Sequence, residues 1–194
     1  MRRLCRSLIS VTLVHLLLFA FTGCARPPDT ERSAAKGSMD AAISAAANTY
    51  AAADFRLAQG FWHTAESRMA DRKYKEARRY YINARSSFEK AAAGVAAGKR
   101  AAADAAKAVL PGLENDAKSL EIAAANAPKQ KKTYWAPDEK HIVEGLRAAN
   151  DMIANDPAGA LTKMREIRTM IDSWNAVFKG TAAAPTKPYA PGKG

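Results

Sequence analysis

The residues able to do chemistry are few and scattered. Beyond residue 24 stand two histidines, His63 and His141, and neither has a second histidine or a cysteine at the spacing a metal site needs. Glu144 follows His141 by three residues and shares its helical face, the arrangement of a surface pair. Asp138 and Glu139 stand where a helix is expected to begin and suit its dipole. No phosphate-cradling glycine loop, nucleophile elbow or Ser/His/Asp set can be placed. The expectation is no catalytic residue, no metal and no cofactor, hence a protein that is not an enzyme. Three tryptophans could stack on sugars. Trp174 falls on an apolar helical stripe and reads as core, and Trp62 beside Phe61 reads as core or helix interface. Trp135 ends the stretch Lys129-Gln130-Lys131-Lys132-Thr133-Tyr134-Trp135, which reads as a basic, aromatic-tipped loop. Lys129, Lys131, Lys132 and Trp135 are therefore the candidate surface contact, with a lid over the next hairpin as the other reading of Trp135.

The two cysteines are Cys5 and Cys24. Arg2, Arg3 and Arg6 open the chain, an apolar run covers residues 8–21, and Thr22-Gly23-Cys24 gives way at once to Ala25-Arg26-Pro27-Pro28-Asp29. Charged head, apolar middle and small residues are the order of a secretory signal. The run is about 14 residues, short of the roughly 20 that span a bilayer. The Gly-Cys ending resembles the lipobox of bacterial lipoproteins, with Phe21 standing where Leu is usual. That resemblance implies cleavage before Cys24 and three acyl chains, palmitate among them, on the new N-terminus. Two chains already anchor a protein stably. Ala25 rather than an acid after the cysteine implies delivery to the outer membrane, facing the periplasm. Cys5 leaves with the signal and Cys24 is acylated, so no thiol remains for a disulfide, a metal or a nucleophile.

Removing 23 of the 194 residues leaves 171, enough for one domain with a core. The signal carries three arginines and no acid, which takes the chain's net charge from +11 to +8. In the cytosol such a balance would point to nucleic acid. Secretion removes that partner and leaves phospholipid headgroups and peptidoglycan as anionic candidates.

Residues 24–37 read as a flexible linker, residues 38–180 as a helical domain and residues 181–194 as a disordered Pro/Lys/Ala tail. In the first helix, expected from Ser38 to about Met69, the stripe is Met39, Ile43, Ala46, Tyr50, Ala53, Leu57 and Phe61. Ala70-Asp71-Arg72-Lys73 reads as a turn. Tyr74, Ala77, Tyr81, Ala84, Phe88, Ala91 and Val95 then step by threes and fours, a coiled-coil-type seam. It is expected to continue through Gly98, Ala102, Ala105 and Val109 until Pro111 stops it. Gly94 and Gly98 read as close-packing positions. A short third helix is expected over 112–127. Helices over 137–154 (Ile142, Leu146, Ala149, Ile153 inward) and 157–179 (Leu161, Met164, Ile167 or Arg168, Ile171, Trp174, Phe178 inward) should form an antiparallel hairpin, with Asp156 as N-cap, Pro157 at the first helical position and Gly180 closing the last. The fold class expected is all-α: an antiparallel bundle of long Ala-rich helices with a C-terminal hairpin.

Tyr74-x-x-Ala77-x-x-x-Tyr81-x-x-Ala84 resembles the second helix of a tetratricopeptide repeat, but the first-helix half is not clear and no 34-residue period recurs. More closely, residues 65–93, behind a lipobox and an Ala-rich first helix, are similar to a family of Ala-rich helical periplasmic lipoproteins known only as a domain of unknown function. That resemblance implies fold and location and no catalytic residues. The function expected is a non-catalytic, lipid-anchored envelope interaction or scaffolding module with a protein partner, or else a module binding peptidoglycan or another envelope polyanion. A second concentration of charge, Arg72, Lys73, Lys75, Arg78, Arg79 and Arg85, reads as a solvated face or as an attraction to an anionic surface.

Overall fold

The computed structural model describes residues 26–184. Cys24, the signal segment and the last ten residues lie outside the described part. Among the described residues all regular structure is helical: α1 (Asp29–Ser44), α2 (Ala47–Tyr50), α3 (Ala52–Ala70), α4 (Tyr74–Ala125), α5 (Lys129–Met152) and α6 (Pro157–Phe178). The chain divides into two compact units, one of residues up to 41 with 54–89, the other of 42–53 with 90 onward. Among the described residues no helix is long and apolar enough to cross a membrane.

The first unit is made of α1 to residue 41, α3 from residue 54, and α4 to residue 89. Its buried side chains are small or aromatic: Ala35, Phe55, Ala58, Ala65, Ala77, Tyr81, Ala84 and Phe88. Alanines let the helix backbones approach, and Phe55–Phe88 and Trp62–Tyr81 meet edge-to-face at centroid distances of 5.4 and 5.5 Å between them. Residues 29–37 are helical, not the linker expected. Pro28 and Ala35 are buried, and tertiary contact overrides the polar, Gly-containing composition.

The expected single helix over 38–69 is broken twice. Ala46 takes a left-handed φ of 61°, and Ala51 is non-helical. The expected stripe fails with it: Ile43 and Leu57 are about half exposed, while Ala42, Ala47, Phe55 and Ala58 are buried. The cause lies in the second unit, to which residues 42–53 belong. The Tyr50 hydroxyl donates to Asp156 Oδ1 at 3.1 Å. The Tyr50 carbonyl also sits so close to Gly98 that a Cβ there would collide with it. Gly94 and Gly98 are indeed close-packing positions.

The α4 seam holds where the pattern is strongest: Ala77, Tyr81, Ala84, Phe88, Ala91 and Val95 are all buried. Past Gly98 it runs one residue out of the expected step, through Ala106, Leu110, Leu113, Ala117, Leu120 and Ala124, while Val109 is exposed. Pro111 does not stop the helix. Its ring and residue 107 are both exposed, and buried Leu110 and Leu113 hold the backbone helical across it. The expected third helix is therefore the end of α4.

The second core gathers α4 from Ala106, α5 and α6 around Leu113, Leu120, Ile142, Met164, Ile171 and Trp174. The turn of the hairpin and its last helix are as read, while its first helix starts at Lys129 and not at 137. Asp156 accepts from the Gly159 N–H at 3.0 Å with Pro157 following it. Gly180, at φ 77°, donates to Val177 O while Thr181 donates to Ala176 O, the paired closure of a Schellman motif. Ala184 packs against this core, so the described start of the tail is not detached from it.

Candidate functional site

The basic loop expected at 129–135 is the first two turns of α5, which begins at Lys129 behind Pro128 and runs through Pro137. Trp135 explains it. The indole is 4% exposed and meets Trp174 at 5.3 Å and Phe178 at 5.8 Å. Burying so large a ring fixes the turns before the proline in helical form. Lys131 Nζ donates to Val177 O at 2.8 Å, and Lys132 Nζ donates to Ala125 O at 2.7 Å. Both ammonium groups thus cap the carbonyl ends of neighbouring helices, α6 and α4, where a cation suits the dipole. Lys129 is exposed. The four candidate contact residues do not form one surface: an indole in the core, two helix caps and one exposed lysine. Cys24 lies outside the described residues.

Two polar constellations escaped the sequence reading. Asp138 is 3% exposed, and its Oδ2 accepts from Trp174 Nε1 at 2.8 Å. It is a buried partner for an indole N–H, not a dipole acid. A tryptophan on an inner face needs such an acceptor, which was the available signal. In the first unit, Glu66 receives a two-pronged pair from Arg32, Nε at 2.8 Å and Nη2 at 2.7 Å, and the hydroxyl of buried Tyr81 at 2.7 Å. Burial alone would raise the Glu66 carboxyl, but the hydrogen bonds from Arg32 and Tyr81 and the Arg32 charge outweigh it and hold it below the usual range. Burial, and then the same carboxylate, push the Tyr81 phenol well above its ordinary value. Arg32 stood in the expected linker, so nothing in the sequence tied it to Glu66.

His63 and His141 are both exposed. His141 and Glu144 share an open cleft of about 260 Å³ between α5 and α6 with Lys163 and Glu166. Among the described residues no group of three or more His, Cys, Asp or Glu gathers as metal ligands do. A broader groove of about 460 Å³ between α4 and α5 is lined by Ala117, Val143 and Leu146 and edged by Glu114, Glu121 and Arg147. It offers an apolar floor with a charged rim.

Compared with protein-family models, curated proteins and solved structures, the chain matches none.

Proposed function

We propose that this protein is a lipid-anchored helical module of the bacterial envelope. Cys24 carries the acyl chains, and the helices act by contact with a protein partner at the periplasmic face of the outer membrane. The observation that carries the reading is the order of residues around Cys24: basic head, short apolar run, Thr22-Gly23, cysteine. The resemblance read from residues 65–93, to Ala-rich periplasmic lipoproteins, points the same way. The helical body follows immediately, with α1 starting five residues later. Exposed apolar side chains on its faces, Ile122 and Val143 in the second unit among them, suit a helix or peptide partner. Peptidoglycan binding through Lys129, Lys131, Lys132 and Trp135 loses support, because Trp135 is buried and two of the lysines are helix caps.

A photo-crosslinker placed at Val143 or Ile122 in intact cells tests the reading. The expected result is a discrete adduct from these positions, none from exposed Lys107, and loss of the adduct in Cys24→Ser. Uniform or absent adducts contradict it.

A further inference from the structure

Pro28 is fully buried, so the chain is fixed to the first unit from Pro28 onward. Three residues separate it from Cys24, and the four Cα-to-Cα steps reach at most about 14 Å. The start of α1 is pinned to one end of that unit by Arg78 Nε on Glu31 at 2.9 Å and by the Arg32–Glu66 pair. Arg78 is in the second turn of α4 and Glu66 in the last turns of α3, so this is the end that carries the α3–α4 turn. The acids there are largely answered internally: Glu31 by Arg78, Glu66 by Arg32, Glu76 by Arg68 at 3.2 Å and Asp71 by Lys73 at 3.4 Å. Against the remaining Asp29, the same end presents Arg72, Lys75 and Arg79, all exposed and in no ion pair among the described residues. Two helix N-termini, of α1 and α4, add their positive ends against the one negative C-terminus of α3. Arg72 closes α3 at φ 59°, a position where glycine is the unstrained residue.

We propose that this basic end of the first unit is seated on the anionic phospholipid headgroups of the membrane that holds Cys24, with Arg72, Lys75 and Arg79 as the contact residues. The proposal rests on the anchor reading for its orientation: a tether of about 14 Å keeps this end within reach of the headgroups. The attraction itself needs no lipid on the cysteine.

The test uses the mature chain from residue 24 with Cys24→Ser, sedimented with vesicles of phosphatidylcholine containing phosphatidylglycerol at low and physiological salt. Binding is expected, and is expected to weaken with salt. Arg72→Gln, Lys75→Gln and Arg79→Gln together should lower partitioning about 100-fold, from about fivefold per basic residue. Lys75→Glu with Arg79→Glu, which leaves the strained turn alone, should weaken it at least as much as losing two charges does. Lys118→Gln, Arg147→Gln and Lys163→Gln, the same charge change in the second unit, should stay within about threefold of the parent. Equal loss from both triples, no loss from the first, or sedimentation with peptidoglycan and not with vesicles overturns the proposal. Because no acyl chain is present, a failure here is separate from a failure of Cys24 to be acylated.

Discussion

The two units solve the problem of burying polar atoms in opposite ways. In the first, alanines bring helices together, and the gap they leave is filled by two edge-to-face aromatic pairs and a carboxylate held by Arg32 and Tyr81 at a partly wet edge. In the second, branched and long apolar side chains fill the space, and one carboxylate, Asp138, serves one indole inside it. A seam of alanines has no room to add and little to lose. A core of Leu, Ile, Met and Trp has much to lose. The alanine positions of the first unit should therefore break on insertion, and the large side chains of the second on deletion.

The largest effect should come from Trp174→Ala, which empties the centre of the second core and removes the indole N–H that Asp138 accepts. A loss of about 3–5 kcal/mol is expected from the shift of the urea midpoint. A loss below about 1 kcal/mol would mean that the ring cluster is not the core it looks to be. Next is Ala84→Leu in the first unit. Overpacking a fully buried alanine should cost about 1–3 kcal/mol. An unchanged melting temperature would show that the seam is slack and erase the contrast.

The pH response sharpens the contrast further. The Glu66 carboxyl is lowered in the folded state, so its contribution is present above the unfolded value of about 4.3 and is lost as pH falls through the folded value. Tyr81 has the opposite sign. Its phenol is raised, so its contribution is present below about pH 10 and is lost as pH rises through the folded value. Urea midpoints of the parent and Glu66→Gln, measured from pH 7 to pH 3, should differ most at pH 7 and converge on acidification. A constant difference would put the effect in packing and not in charge. Smallest is Arg72→Gly, expected to stabilise by about 0.5–1 kcal/mol because glycine takes the left-handed conformation without strain. A destabilised variant would mean that the arginine side chain holds the turn.

How far the sequence reached follows the same division. Where residue types alternate sharply, as from Ala77 to Val95 or from Asp156 through Gly180, the period and the caps were legible, and so was the all-α class. Where alanine dominates, the pattern is degenerate. Ala45-Ala46-Ala47 fits a helix and its break equally, and what decides is Tyr50 meeting Asp156 and Gly98, partners distant in sequence. Prolines misled twice. Pro111 and Pro137 both sit inside helices, because flanking side chains are buried firmly enough to carry the chain across a missing hydrogen bond. The candidate contact residues part for a related reason: the helix places Lys131 and Lys132 on two different carbonyl ends, and Trp135 turns inward.

Acylation at Cys24 is the claim on which anchor, location and orientation all depend. Cells fed radiolabelled palmitate report it directly. The labelled chain should begin at Cys24, and Cys24→Ser should carry no label and leave the membrane fraction. An unlabelled parent, or a Cys24→Ser chain that stays in the membrane, would contradict the anchor.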